Sequence, residues 1–271
     1  MYNEADRIAD CLEAIARQDV RPYEVIVVDN NSTDGTAAIA ARFPFVTLLR
    51  ESRQGVVYAR AAGFDKARGE IIGRIDSDTL LPPDWVRTLQ RIFTESDLDA
   101  VAGRVTYSDI ALAKAVSRVD LAFRRYFARV LGRYCALQGA NMGIRRSAWQ
   151  NVRTRLCMRS NMHEDFDLAI HLVQQGHTVQ FDESLTAAIG SRQCASDWRG
   201  FASYAAISPR TYDQHGLSTR YMWRVVILVV MFYPVLRFLH QGYDADQQKF
   251  TLSSWLRGGT VARVNPATFV E

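Results

Sequence analysis

The stretch "EVIVVDNNSTDGT", residues 24–36, places a run of apolar residues directly before a polar turn. The successive Val and Ile residues at 25–28 predict a buried β-strand that ends at Asp29. The Asn, Ser, Asp and Gly residues that follow are typical of a turn with helix-capping groups, and "AAIAARF" (37–43) predicts a helix. This strand, turn and helix form the basic unit of an α/β fold.

Strands and helices continue to alternate after this stretch. Further strands are predicted at 46–50 and 71–75, and helices at 58–67 and 85–93. This alternation indicates βαβ units and a mostly parallel sheet flanked by helices. Ligands of such sheets bind beyond the carboxyl ends of the strands, where Asp29, Asp76 and Asp78 lie. Farther along, a strand is predicted at 99–107 and helices at 111–133, 163–176 and 197–214.

The segment "GRIDSDT", residues 73–79, carries two carboxylates one residue apart. On an extended backbone the side chains of Asp76 and Asp78 project to the same side. Paired carboxylates suit Mg²⁺ or Mn²⁺, particularly when phosphate oxygens complete the coordination. The alternative is a solvated turn in which Asp78 or Thr79 caps the next helix.

The composition is that of an ordinary globular protein. The chain has 271 residues, of which 48% are hydrophobic and 23% charged, enough for one large α/β domain or two small ones. Its four cysteines form no CxxC pair, which argues against a zinc cluster and fits a reducing compartment.

Positive charge is concentrated in one segment. The net charge is +4, but residues 114–133 hold six basic residues and one acidic residue, so the rest of the chain is close to neutral. A helix there could present an arginine-rich face to anionic lipid, or pack into the core with a solvated outer face. We expect no nucleic-acid partner.

An uninterrupted apolar run spans residues 225–236 and is flanked by Arg224 and Arg237. Its 12 residues are fewer than the roughly 20 that a membrane span needs. The run therefore favours an interfacial or re-entrant helix over a buried core helix, and either of these over a true span.

The first residues, "MYNEADRIADCLEAIARQ", resemble a strand-to-helix loop followed by its helix, with no strand before them. We therefore expect that the first strand of the sheet is missing from this sequence, which would leave an exposed edge or a gap.

Six motifs occur in order over residues 1–192: "YNE" (2–4), "VIVVDNNSTDGT" (25–36), "RQGVVYARAAGF" (53–64), "GRIDSDT" (73–79), "GANMGIRRSAW" (139–149) and "EDFDLAIHLVQQGH" (164–177). Together, and in this order, they resemble family 2 glycosyltransferases of the GT-A fold. The resemblance implies a GT-A domain at 1–192, with a nucleotide-sugar-binding half (1–107) and an acceptor-binding half (108–192). Residues 193–271 would form a helical extension that could associate with a membrane.

The resemblance also assigns residues to the donor. Asn3 and Glu4 match the first-loop motif on the nucleotide side, and Asp29 matches the acid that hydrogen-bonds the base, typically uracil. Arg60 matches a basic residue near the nucleotide. Asp76 matches a residue near the ribose or the metal, and Asp78 matches the ligand of a divalent cation, Mg or Mn, that bridges the diphosphate.

On the acceptor side, Asp165 matches the general base of the family, which implies single displacement with inversion. Glu164 would orient the acceptor, and Asp167 is expected to be exposed. The first-turn acids could instead only stabilise the helix dipole. Gly139, Ala140 and Asn141 match the loop that lines the donor sugar and the acceptor, although the same residues suit a tight turn.

These matches predict an inverting glycosyltransferase that takes a nucleotide-sugar, with a UDP-sugar favoured. The acceptor would be a glycan or a lipid-linked molecule in cell-envelope glycan or glycolipid biosynthesis. The location would be cytoplasmic, where the protein could associate with the inner face of the cell membrane. A QxxRW motif is absent, which favours a single transfer per encounter, and no histidine occurs at 187–192 to assist a metal. The alternatives are a catalytically impaired binding module and a sugar-phosphate nucleotidyltransferase.

Overall fold

A computed structural model describes residues 1–107, 110, 112–134, 136–157, 162–190, 197–241, 243–244 and 249–250. Cys135, Cys194 and the boundary expected at residue 192 lie outside these residues. The strands are β1 (Val25–Asp29), β2 (Val46–Arg50), β3 (Ile71–Arg74), β4 (Ala100–Tyr107), β5 (Met142–Arg145), β6 (Val179–Ile189), β7 (Tyr243–Asp244) and β8 (Lys249–Phe250). The helices are α1 (Ile8–Ala16), α2 (Thr36–Ala40), α3 (Val56–Lys66), α4 (Trp85–Glu95), α5 (Ala113–Leu131), α6 (Arg146–Val152), α7 (Glu164–Gln174), α8 (Trp198–Gln214) and α9 (Arg220–Gln241).

The principal strands form two sheets. β1 and β2 pair in parallel, and a four-stranded mixed sheet has the order β3-β5-β4-β6. Within it, β5 runs antiparallel to both β3 and β4, and β4 pairs in parallel with β6. This arrangement is the predicted α/β fold, with antiparallel pairing introduced by β5. A small antiparallel hairpin is formed by β7 and β8.

Among the described residues, no strand pairing joins these two sheets. β1 pairs only with β2, and β3 is an edge strand, so no described strand lies between them. The amino group of Met1 donates to the carbonyl of Val28 (2.7 Å), and the amide of Asn30 donates to the carbonyl of Met1 (3.0 Å). The first residue thus hydrogen-bonds along the free edge of β1.

Helices cover both faces of the four-stranded sheet. On one face, α6 and α7 bury Trp149 and Leu168 against Met142 of the central strand β5. On the other face, α4 packs Leu89 and Phe93 onto the sheet. α4 approaches closely because β5 has a glycine there: a Cβ on Gly143 would lie 2.5 Å from Cδ1 of Leu89. The sheet is therefore held rigidly, with its loops at one end free to form a site.

The C-terminal helices α8 and α9 pack onto α7 through a third apolar cluster. Tyr212 of α8 and Met222 of α9 are buried with Ile170 of α7. α9 contains the apolar run at 225–236, and along the described residues no helix combines the length and hydropathy that a bilayer crossing requires. Several large side chains of α9 point outward, including Met231 and Phe232.

Candidate functional site

The carboxylate pair lies in a turn directly after β3. Thr79 is fully buried and anchors this turn, because its hydroxyl donates to the carbonyl of Ala140 (3.3 Å) and its amide donates to the carbonyl of Asp76 (3.1 Å). Asp76 and Asp78 remain partly exposed. The thiol of Cys11 lies close to both carboxylates and donates to the carbonyl of Asp76 (3.7 Å). Burial and the charges of Asp78 and Asp76 raise the pKa of Cys11 to about 12.

The pair therefore places two negative charges close together, directly after β3. Two carboxylates with partly exposed oxygens suit a hard divalent cation such as Mg²⁺ or Mn²⁺. Asp76 and Asp78 are the residues that would hold such an ion.

Arg74, at the end of β3, connects this turn to α7. Its Nη2 donates to Oε1 of Glu164 (2.6 Å) and lies 3.9 Å from Oδ1 of Asp76. The side chain is only 10% exposed, and its Nη1 is buried without a hydrogen-bond partner among the described residues. Burial lowers the pKa of Arg74, but the carboxylates of Glu164, Asp76 and Asp165 outweigh this effect and raise it. The guanidinium of Arg74 is therefore held in place, and its Nη1 is a donor available to an oxygen of a ligand.

Glu164 and Asp165 open α7 and have opposite protonation behaviour. Burial would raise the pKa of Glu164, but the charges of Arg74 and Arg60 lower it to about 2. The pKa of Asp165 is raised, first by burial and then by the negative charge of Glu164. Two adjacent acids with separated pKa values are typical of sites where one acid stays ionised and the other moves a proton.

Two backbone amides orient the carboxylate of Asp165. The amide of Gly139 donates to Oδ2 (2.9 Å), and the amide of Phe166 donates to Oδ1 (2.9 Å). Gly139 is also the point at which the loop touches Arg74, because a Cβ there would lie 2.4 Å from Nη2 of Arg74. A side chain at this position would displace the guanidinium, so the glycine allows the loop to approach it.

Asn141 has a supporting position within the same loop. It is fully buried, its Nδ2 donates to the carbonyls of Arg104 (2.8 Å) and Leu185 (2.9 Å), and its Oδ1 accepts from Trp85 Nε1 (2.8 Å). All of these partners are internal to the protein. Gly139 and Ala140 line the cleft, and the direct contact with sugar or acceptor expected for Asn141 stays a prediction.

The first loop and the turn after β1 are tied together. Asn3 accepts at Oδ1 from the amide of Thr33 (2.9 Å), and the amide of Glu4 donates to the hydroxyl of Thr36 (2.8 Å). Asp29 is 7% exposed and accepts at Oδ1 from the amide of Ser32 (3.2 Å). The structure thus brings Asn3, Glu4 and Asp29 to one end of β1, where the sequence analysis places the nucleotide.

Arg60 is a buried residue of α3 that contacts the start of α7. Its Nη1 donates to the carbonyl of Glu164, and its guanidinium carbon lies 5.7 Å from the ring centre of Trp149. Burial lowers its pKa to about 10. Arg60 therefore supports the start of α7, and the nucleotide contact expected for it stays a prediction.

Asp167 corrects one expectation. It was expected to be exposed, but it is only 1% exposed, because α8 covers that side of α7. Its Oδ1 lies 2.9 Å from Nε2 of His215 and 3.4 Å from Nε2 of His171. His215, which contacts Asp167, lies 48 residues later in the sequence, so no local sequence pattern could indicate that Asp167 is buried.

The basic segment at 114–133 forms ion pairs within the protein. In α5, Arg124 forms an ion pair with Asp120 (2.6 Å), and Arg125 forms one with Glu183 (2.6 Å). Intramolecular carboxylates thus already partner two of its arginines. A continuous cationic face for lipid is correspondingly reduced.

A large cleft of about 1930 Å³ joins the two halves of the site. Asp76 and Asp78 line it together with Gly139 and Asp165, and Arg74 contacts both Asp76 and Glu164. Sequence reasoning had not selected Arg74, although it stands inside the "GRIDSDT" motif, immediately before the carboxylates.

Comparison with known proteins gives consistent matches. The model of the family described as "Glycosyl transferase family 2" matches residues 1–153. Glycosyltransferase AglE of Haloferax volcanii is 28% identical over 159 residues, which cover 56% of this chain and 52% of that protein. Undecaprenyl-phosphate 4-deoxy-4-formamido-L-arabinose transferase of Serratia proteamaculans is 29% identical over 150 residues, covering 51% and 46%. The chain spans about half the length of these relatives.

Among solved structures, the mannosyltransferase PcManGT of Pyrobaculum calidifontis, in complex with GDP-Man and Mn²⁺, superposes with a TM-score of 0.59. The match covers 99% of this chain and 75% of that chain at 20% identity, so it speaks for the fold alone.

Proposed function

Because this chain belongs to glycosyl transferase family 2, we propose that it transfers a sugar from a nucleoside-diphosphate donor to an acceptor hydroxyl with inversion. One observation carries the proposal. Arg74 joins the carboxylate pair of the donor side to the Glu164–Asp165 pair of the acceptor side within a single cleft.

Asp165 is the proposed general base. It accepts the proton of the acceptor hydroxyl while that oxygen bonds to the anomeric carbon and the bond from that carbon to the diphosphate breaks. A single displacement of this kind inverts the configuration. Its raised pKa supports the role, because a carboxylate with a pKa nearer to the working pH is a stronger base. The amides of Gly139 and Phe166 keep both oxygens oriented.

Glu164 is proposed to remain an anion that holds Arg74 in place. Fixed by this pair, the unpartnered Nη1 of Arg74 would donate to an oxygen of the bound donor or acceptor. A buried and pre-oriented cation contributes more to charge stabilisation than a solvated one, because no reorientation is needed during the reaction.

On the donor side, Asn3, Glu4, Asp29 and Arg60 are proposed to surround the nucleotide. Asp76 and Asp78 would hold a divalent cation, which when bound supplies positive charge for the leaving diphosphate. The resemblance of Asp29 to a base-binding acid favours uracil, whereas the structural neighbour PcManGT binds GDP-Man. Both nucleotides therefore belong in the test.

The proposed acceptor is a glycan or a lipid-linked molecule of the cell envelope. Two features support it: the apolar side chains that α9 exposes, and the undecaprenyl-phosphate in the name of the Serratia relative. Peripheral contact with the inner face of the membrane would bring such an acceptor to the cleft.

A thermal-shift screen tests the proposal. UDP-glucose, UDP-N-acetylglucosamine and GDP-mannose are added with Mn²⁺, with Mg²⁺ or with chelator, and at least one donor should raise the melting temperature, because ligand binding to the native state stabilises it by mass action. Asp78→Asn should lose the metal-dependent part of the shift, and the exposed Asp97→Asn should keep it. If no donor with either ion raises the melting temperature, the proposed donor site is wrong.

A further inference from the structure

Four potential metal ligands meet behind the acceptor half, outside the cleft. They are the thiol of Cys157, the carboxylate of Asp167 and the imidazoles of His171 and His215, and their ligand atoms lie within 4.8 Å of one another. Cys157 lies after α6, Asp167 and His171 lie one turn apart on α7, and His215 follows α8. The ligands therefore come from three separate segments of the chain.

From this geometry we propose that Cys157, Asp167, His171 and His215 bind one Zn²⁺ ion. One thiolate, one carboxylate and two imidazole nitrogens are a ligand set that zinc favours in tetrahedral sites. The absence of a CxxC pair does not argue against such a site, because its single cysteine and its histidines meet only through the packing of α7 and α8.

Three distances between ligand atoms are within about 0.4 Å of those in a tetrahedral zinc site. With Zn–S of about 2.3 Å and Zn–N of about 2.0 Å, neighbouring ligand atoms are separated by about 3.3–3.6 Å. Sγ of Cys157 lies 3.9 Å from Nε2 of His171, and that nitrogen lies 3.4 Å from Oδ1 of Asp167. Nε2 of His215 lies 2.9 Å from Oδ1 of Asp167, so it would move outward by a few tenths of an ångström to admit the ion.

The surroundings of the cluster also suit a bound cation. Asp167 is 1% exposed, and the side chains of His215 and His171 are 9% and 13% exposed. Oδ2 of Asp167 already accepts from the amide of Cys157 (2.9 Å), which leaves Oδ1 facing both imidazoles. A hydrogen bond of this kind orients a ligating carboxylate. A dication bound between Oδ1 of Asp167 and the two imidazole nitrogens would supply a countercharge to this buried carboxylate.

The ion would fasten the start of α7. Asp167 lies two residues after Asp165, and His215 directly follows the last residue of α8. Zinc would therefore tie the first turn of α7, which carries the Glu164–Asp165 pair, to α8 and to the segment after α6. Its role would be structural, separate from the divalent cation expected at Asp76 and Asp78.

Metal analysis of the full chain, purified without a histidine tag and dialysed, tests the site and needs no sugar donor. Its outcome is therefore independent of the proposed function. The expected result is about one zinc per chain, and loss of that zinc in Cys157→Ser and in His215→Gln. Cys11→Ser and His177→Asn are the matched controls, and both should keep the zinc. Asp78→Asn should keep it as well.

Cobalt substitution provides a measurement on the wild-type protein, which does not depend on whether the variants fold. The wild-type protein loaded with Co²⁺ should show the thiolate-to-cobalt charge-transfer band and the visible bands of a tetrahedral site. Cys157→Ser should lose the charge-transfer band. The proposal is overturned if the wild type holds no zinc and gives no tetrahedral cobalt spectrum, which would identify a hydrogen-bonded cluster without metal. Retention of zinc by both variants would also overturn it.

Discussion

At the scale of single residues, the site contains two neighbouring acids, Glu164 and Asp165, that lie in different electrostatic environments. Glu164 faces two arginines, whereas Asp165 is buried beside the charge of Glu164, so their pKa values move in opposite directions. The sequence identifies both acids through the resemblance to a family. It does not identify Arg74 as the cation that separates them, because that role depends on a contact across 90 residues of sequence.

The raised pKa of Asp165 predicts the acid limb of the pH–rate profile. The base must be deprotonated, so the rate should fall as the pH drops through its pKa, and this fall should lie above 3.8, the ordinary value for an aspartate. Release of nucleoside diphosphate from the best-stabilising donor, measured across pH, checks the expectation. An acid limb at or below the ordinary aspartate value would contradict it.

The contact between Gly139 and Arg74 predicts the effect of one added methyl group. In Gly139→Ala, the new Cβ would meet the guanidinium and push it away from Glu164. Misplacement of this order can reduce the rate by about 10²-fold. The rate of nucleoside diphosphate release measures the loss, and circular dichroism checks that the fold is kept.

Gly35→Ala is the matched control for this variant, since a Cβ there would meet only Ile39, at 3.9 Å. It should retain nearly the full rate. Equal rates for Gly139→Ala and Gly35→Ala would show that the position of Arg74 is unimportant.

At the scale of elements, local patterns predict the strands and helices better than they predict their pairing. The strand at 46–50 has the predicted bounds, and α8 begins directly after Asp197, whose side chain accepts from the amide of Gly200 (2.7 Å). The antiparallel insertion of β5 between β3 and β4 was not predicted. Strand pairing depends on contacts between residues far apart in sequence, for which periodicity contains no signal.

The packing of α4 on β5 predicts a specific loss of stability. Gly143→Ala would place a Cβ 2.5 Å from Cδ1 of Leu89 and 3.0 Å from Cε2 of Phe93. Overpacking of this kind lowers the free energy of unfolding by about 1–3 kcal/mol. Urea denaturation of the variant measures the change.

A second substitution tests whether the loss of stability in Gly143→Ala comes from the clash with Leu89 or from replacing glycine in the backbone of β5. Leu89→Ala removes the nearest contact and creates a cavity of its own, so the double variant Gly143→Ala/Leu89→Ala should be less destabilised than the sum of the two single changes. Strict additivity would show that the two residues do not interact.

At the scale of the whole molecule, the two halves of the site and the C-terminal helices are parts of one packed structure. α9 exposes Met231 (70%) and Phe232 (63%) on its outer face. If this face contacts a membrane, the protein should co-sediment with vesicles that contain anionic lipid, and Met231→Ser/Phe232→Ser should weaken the binding, because less apolar area enters the interface.

Tyr23→Ser is the control for membrane binding, since Tyr23 is equally prominent at 76% exposure but lies before β1. It should bind vesicles as the wild type does. Equal co-sedimentation of all three proteins, or none by the wild type, would contradict the membrane contact.

The most direct test of the central claim is the effect of Asp165→Asn on turnover and on donor binding. The account predicts that the donor raises the melting temperature of this variant as it does that of the wild type, while release of nucleoside diphosphate falls by about 10²–10⁴-fold. Asp97→Asn, a matched change at an exposed position, should keep both properties. A wild-type rate in Asp165→Asn would contradict the assignment of Asp165 as the base.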